Sequence, residues 1–134
     1  MENLSYELIG AAFEVRNCLG GYLHETAYEA ALHYELFLRG ITSERQVSLP
    51  VIYKGLSIHN PYRIDIVVEG KIIVELKSLP AMSIREVGQL LNYMQLSHIR
   101  LGYLINFGAT DFCTASTPSD RKEILPKGIY RYYL

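Results

Sequence analysis

The chain begins with apolar positions at helical spacing. Leu8, Ala11, Ala12, Val15 and Leu19 fall on one stripe of a segment running from about Leu4 to Cys18, which predicts an amphipathic helix closed by Gly20-Gly21. A second helix is expected from about His24 to Leu38, with Ala27, Ala31, Tyr34 and Leu38 inward and Gly40 as its stop. The period then changes to two. Arg45 to Tyr53 alternates as a strand interrupted at Pro50, a sign of an edge or a bulge. Lys54-Gly55 reads as a turn, Leu56 to His59 as a short strand and Asn60-Pro61 as a break.

The next stretch holds the densest apolar pattern. Ile64 to Val68 and Ile72 to Leu76 are β-branched runs on either side of Glu69-Gly70-Lys71, which predicts an antiparallel hairpin. Pro80 interrupts the chain. Ser83 with Glu86 three positions on forms a capping box for a helix of about fifteen residues, striped by Val87, Leu90, Leu91 and Met94, with Gln89 and Tyr93 together on another face. Leu101 to Phe107 is nearly continuous and apolar, as in a strand buried on both faces. It is expected to lie parallel to the strand ending at Lys77, with residues 83–97 as the crossover. The segment from Gly108 onward is rich in Thr, Ser, Pro and charge until Gly128-Ile-Tyr-Arg-Tyr-Tyr-Leu, a candidate late edge strand. The order helix, helix, strands, helix, strand predicts an α/β sandwich with a mixed central sheet.

The hairpin also carries the candidate chemistry. Glu75 and Lys77 are two apart and share a face. Asp65 depends on the register. A three-residue loop at 69–71, with Gly70 or its neighbour at positive φ, sets Asp65 opposite Glu75, and the three charges converge. A two-residue loop sets Asp65 opposite Val74 and turns it away. Two close carboxylates repel, which raises the pKa of one of them unless a cation lies between them. Their oxygens suit Mg²⁺ or Mn²⁺. With the Lys77 ammonium beside them, this set is suited to phosphodiester hydrolysis. The alternative is that Glu75 and Lys77 simply line the wet face of a strand.

Composition narrows the class. The chain has 134 residues, 49% hydrophobic and 20% charged, consistent with one globular domain spanning 1–134. No apolar run reaches the length of a membrane span and no secretory signal is visible at the N-terminus, so a cytoplasmic location is expected. In that setting Cys18 and Cys113 read as reduced packing residues. A formal net charge of −1 offers no global attraction to a polyanion, so affinity for nucleic acid must be local. Arg45, Lys54, Arg63, Lys77, Arg85 and Arg100 are candidates for such a patch. His24, His33, His59 and His98 have no metal spacing.

Six blocks in order carry a resemblance. They are Glu25-Thr-Ala-Tyr28-Glu with Leu32 and Glu35-Leu-x-x-Arg-Gly40; Gln46-Val-x-Leu-Pro-Val with Tyr53-Lys-Gly55; Tyr62-Arg-x-Asp65; Val74-Glu-Leu-Lys77; Gln89-Leu-Leu-Asn-Tyr93; and Leu101-Gly-x-Leu-Ile-Asn-Phe-Gly108. The chain resembles the GxxExxY proteins of the PD-(D/E)XK nuclease superfamily from about Tyr6 to Gly108, with 109–134 as a C-terminal extension. The resemblance implies a restriction-endonuclease-like core, a mixed central β-sheet flanked by α-helices. It implies that Glu25 joins Asp65, Glu75 and Lys77 as the catalytic set, that Asp65, Glu75, Glu25 and the carbonyl of Leu76 bind Mg²⁺ or Mn²⁺, and that Gln89 and Tyr93 contact substrate. Tyr22 stands where the family's Gly-x-x-Glu has glycine, and Gly21 is one place early. Glu29 reads as an ordinary surface acid, outside this set.

A metal-dependent nuclease acting on nucleic acid, DNA ahead of RNA, is therefore expected. The competing class is a nuclease-fold module that binds nucleic acid or a protein without useful catalysis. A homodimer or a protein partner could complete the groove of so small a domain.

Overall fold

The computed structural model describes residues 2–59, 62–110, 112 and 128–134. Two helices, α1 (Glu2–Leu19) and α2 (Glu25–Leu38), precede β1 (Ser43–Ser48). A small hairpin of β2 (Val51–Tyr53) and β3 (Leu56–Ile58) follows, then β4 (Arg63–Val68), β5 (Ile72–Lys77), α3 (Ile84–Ser97), β6 (Leu101–Asn106) and β7 (Ile129–Tyr133). The main sheet has the order β1-β4-β5-β6-β7. Only β5 and β6 run parallel, joined through α3, and the other neighbours are antiparallel. The mixed sheet, the crossover helix and the edge position of β7 all follow the sequence pattern.

The sheet is covered on both faces. Ile66, Val68, Ile72, Val74, Leu76, Tyr103 and Ile105 pack with Leu8, Ala11, Ala12, Val15, Tyr28, Leu32 and Leu36 of the first two helices. On the other face Ile64, Val67, Ile73 and Leu104 meet Leu90, Tyr93 and Met94 of α3. Removing each of the Val, Leu, Ile and Met side chains among them from water contributes roughly 1.5–3 kcal/mol. The alternation in β5 therefore assigns Ile72, Val74 and Leu76 to the α1/α2 side, and carries Glu75 and Lys77 to the α3 side.

Four expectations are corrected. Leu19 lies exposed at the end of α1, beyond the part of the helix that faces the sheet. In α2 the buried residues are Tyr28, Glu29, Leu32 and Leu36, while Tyr34 and Leu38 are exposed. Apolar residues lie on every side of that helix, so spacing did not single out a stripe. The choice comes from Tyr28, which stacks on Phe107 at 4.4 Å, donates its hydroxyl to Gly20 O and accepts from Leu23 N–H. Third, Arg45 to Tyr53 is two strands in separate sheets. Leu49-Pro50 ends β1, and Val51 to Tyr53 pairs only with Leu56 to Ile58. Cys18 is likewise an exposed free thiol and not a packing residue. The expectations for Cys113 and for the Asn60-Pro61 break lie outside the described residues.

Candidate active site

The hairpin register decides the site. Val68 pairs with Ile72, Val67 with Ile73 and Ile66 with Val74, so the loop is the three residues 69–71. Glu69 and Gly70 both take positive φ, 55° and 67°, and Lys71 N–H donates to Val68 O. Positive φ is natural for glycine and costly for glutamate. Glu69 is held there because Thr42 N–H donates to its carboxylate at 2.8 Å, and its own N–H donates to Thr42 O. The connection entering β1 thus fixes the turn, and the turn fixes which residue faces Glu75.

Beyond Ile66 and Val74 the ladder gives way to side chains. Asp65 N–H donates to Glu75 Oε2 at 2.9 Å, and Leu76 N–H donates to Asp65 Oδ2 at 2.9 Å. Each carboxylate satisfies an amide of the opposite strand. Glu75 is only 3% exposed. Burial is the main cause that pushes it up to about 8, repulsion from Asp65 adds to this, and the Asp65 amide and Lys77 oppose it. Asp65 is also raised, chiefly by burial and then by the charge of Glu29, against the pull of the Leu76 amide and Lys77.

Lys77 Nζ donates to Gln89 Oε1 at 3.1 Å, and Gln89 Nε2 donates to the Tyr93 hydroxyl at 3.2 Å. Gln89 and Tyr93 lie one turn apart on α3, so the helix that covers β5 also tethers its lysine. The series continues outward to Tyr62, whose exposed ring meets Tyr93 edge-on at 6.3 Å. The exit of β5 is held by Asn106: its Oδ1 accepts from Leu79 N–H at 2.9 Å and its Nδ2 donates to Leu79 O at 3.1 Å.

Glu25 stands apart from this group. It is exposed in the first turn of α2 and hydrogen-bonds to neither Asp65 nor Glu75, although its charge raises both. Glu29, read from sequence as a surface acid, is 6% exposed. Its carboxylate accepts from Arg45 Nε at 2.9 Å and from Gln46 Nε2 at 2.8 Å. Gln46 Nε2 also donates to Asp65 Oδ1 at 3.4 Å. Arg45, one of the candidate cations for a phosphate patch, is thus engaged in an ion pair. Glu29, Arg45 and Gln46 were missed as site residues because spacing along α2 does not reveal which face meets β1.

Gln46 has φ of 53° in the middle of β1. Such a conformation costs on the order of 1–3 kcal/mol for a residue with a Cβ. It also reverses the faces of the strand. Arg45 opposite Ile66 belongs to the α2 side, whereas Val47 opposite Ile64 packs on the α3 side. In a regular strand those two residues would share a face.

The family whose model matches the chain is the PD-(D/E)XK nuclease superfamily, over residues 2–116. The chain belongs to that superfamily. Neither a curated protein nor a solved structure matches it. Membership in the PD-(D/E)XK superfamily points to nuclease-type function, a nucleic-acid substrate and general use of a divalent metal ion. The donor chemistry fits such an ion, since Asp65 and Glu75 are hard oxygen ligands forced together in a buried position. Among the described residues, no three His, Cys, Asp or Glu side chains are gathered into an ion site. No helix among them is long and apolar enough to cross a membrane.

Proposed function

We propose that the chain is a nuclease that hydrolyses phosphodiester bonds of nucleic acid with the help of Mg²⁺ or Mn²⁺. The observation that carries this reading is the reciprocal capping of Asp65 and Glu75, which holds two carboxylates together beside an ammonium. In this reading Asp65 serves as the acid of the superfamily pattern and Glu75-Leu76-Lys77 as its E-x-K. Asp65 and Glu75 would hold the ion, with the Leu76 carbonyl and Glu25 completing its surroundings. When bound, the ion supplies Lewis acidity toward the phosphodiester.

The remaining work falls to the chain's own groups. Lys77 uses one of its three donors on Gln89, which leaves two to orient a water or to neutralise charge growing on the phosphoryl oxygens. The water oxygen attacks phosphorus and gives up a proton to solvent, the opposite P–O bond breaks, and the leaving oxygen takes up a proton from solvent, so that one water is consumed overall. The exposed Tyr62 ring, set against the mostly buried Tyr93, offers a surface for the substrate.

The net charge of −1 favours a second reading, a nuclease-fold module that binds a partner without cleaving, since a long duplex gains nothing from the overall field. The two are separated by incubating wild type, Glu75→Ala and Lys77→Ala with single- and double-stranded DNA and RNA in Mg²⁺ or Mn²⁺. Cleavage by wild type alone is expected. Equal activity in all three proteins, or none in any, removes the nuclease reading. A thermal shift with Mn²⁺ in metal-stripped wild type and not in Glu75→Ala tests ion binding separately.

A further inference from the structure

Gln46 combines two features that no catalytic role described so far requires: a left-handed backbone inside a strand, and a side-chain nitrogen shared between two carboxylates. We infer that Gln46 is a positioning residue that sets the orientation of Asp65, anchored for that purpose by Glu29 and Arg45. The inference rests on the nuclease reading for its purpose, but its geometry stands independently of that reading.

Successive side chains of a regular strand point to opposite faces, so Arg45 and Gln46 cannot both serve one partner in ordinary β geometry. Here both reach Glu29, Arg45 through Nε at 2.9 Å and Gln46 through Nε2 at 2.8 Å. The positive φ at Gln46 is what permits this. An amide nitrogen carries two protons, and the second is directed at Asp65 Oδ1 at 3.4 Å. Because the partners are two carboxylates, the orientation of the amide is settled: nitrogen faces them and oxygen faces away.

Asp65 is then held at both oxygens, Oδ2 by the Leu76 amide and Oδ1 by Gln46. A carboxylate restrained at both oxygens cannot rotate about its terminal bond without losing a partner. Glu29 is held in turn, buried and paired with Arg45. The order Arg45, Glu29, Gln46, Asp65 therefore runs from α2 and β1 to the candidate metal carboxylate. Supporting groups of this kind typically change metal affinity by about 10- to 100-fold when removed.

The test uses Gln46→Gly, which keeps the backbone conformation accessible while removing the side chain and with it the amide. Calorimetric titration of Mn²⁺ into metal-stripped protein is expected to show binding about 10- to 100-fold weaker than in wild type, and a crystal structure of the variant is expected to show the Asp65 carboxylate rotated or disordered. Gln46→Glu replaces the donor by an acceptor facing two carboxylates, and it is expected to displace Asp65 as well. Wild-type affinity for Mn²⁺ in Gln46→Gly overturns the inference. If wild type itself binds no Mn²⁺, the nuclease reading falls, and the crystal structure decides alone: an unmoved Asp65 carboxylate in Gln46→Gly overturns the positioning role, and a moved one supports it.

Discussion

Asp65 and Glu75 each cap the backbone of the other's strand. The Asp65 amide donates to Glu75 and the Leu76 amide donates to Asp65, both at 2.9 Å. A plain ladder would satisfy such amides with carbonyls and leave the side chains free. With carboxylates in that place, the pair is both part of the sheet and the centre of the candidate site. Glu75 is the costlier member, since burial and its neighbour both oppose its charge.

The stability of the metal-free protein should fall as pH rises. Folded Glu75 holds its proton up to about 8, against 4.5 as its ordinary value, so between those values the folded state binds more protons than the unfolded one. The contribution is complete below the ordinary value and is lost as pH climbs through about 8, with a slope approaching ~1.4 kcal/mol per pH unit. Denaturant titrations from pH 5 to 9 on wild type and Glu75→Gln check this. A wild-type profile as flat as that of Glu75→Gln contradicts the buried acid.

Arg45→Ala should destabilise the fold through Glu29. The variant leaves a carboxylate that is 6% exposed without its ion-pair partner, at a cost of about 1–3 kcal/mol. Changing Glu29→Gln in the same background should recover part of the loss, because a neutral amide tolerates burial better. A double-mutant cycle by chemical denaturation measures the coupling, and additive effects of the two substitutions would contradict it.

Lys77→Met should reduce cleavage by about 100-fold or more in kcat while the protein stays folded. Gln89→Ala, which releases both the Lys77 tether and the Tyr93 hydroxyl, should lower kcat by less than Lys77→Met. Single-turnover kinetics with saturating nucleic acid separates these effects. Wild-type kcat in Lys77→Met would remove its assigned role.

Gly108→Ala should be more damaging than Gly102→Ala. A Cβ at Gly108 would lie 2.6 Å from Leu79 O and 2.7 Å from Leu79 N, backbone atoms that cannot yield without moving the exit of β5. At Gly102 it would meet Met94 Sδ at 2.6 Å, the side chain of a flexible residue. Overpacking of the first kind costs about 1–3 kcal/mol, visible as a lower melting temperature. A smaller loss for Gly108→Ala than for Gly102→Ala contradicts this reading of the contact.

The most readable parts of the chain were those in which local chemistry and burial agree. Ser83 accepts from Arg85 N–H while Glu86 accepts from Ser83 N–H, the capping box read from those two residues. Leu101–Asn106 is buried at every position, as its nearly continuous apolar run predicts, and parallel to β5, as the crossover through α3 predicts. The final block of the resemblance also gains a physical account. Gly102 admits α3, Asn106 clamps Leu79, and Gly108 lets the two loops pass.

Less readable were residues whose role depends on contacts distant in sequence. Glu29 looks like any exposed acid on a helix, and only the packing of α2 on β1 buries it against Arg45 and Gln46. Gln46 carries no local signal for positive φ, since glutamine has no preference for it.

By itself the sequence determined most of the elements, the mixed sheet and the shared face of Glu75 and Lys77, because alternation, caps and apolar runs are local properties of the chain; it did not show that Arg45 to Tyr53 divides between two sheets. It left two registers open for Asp65. The tertiary structure chose between them, because Thr42 holds Glu69 in a strained turn from outside the hairpin and a shift of one residue would move every side chain of β4 to the wrong face.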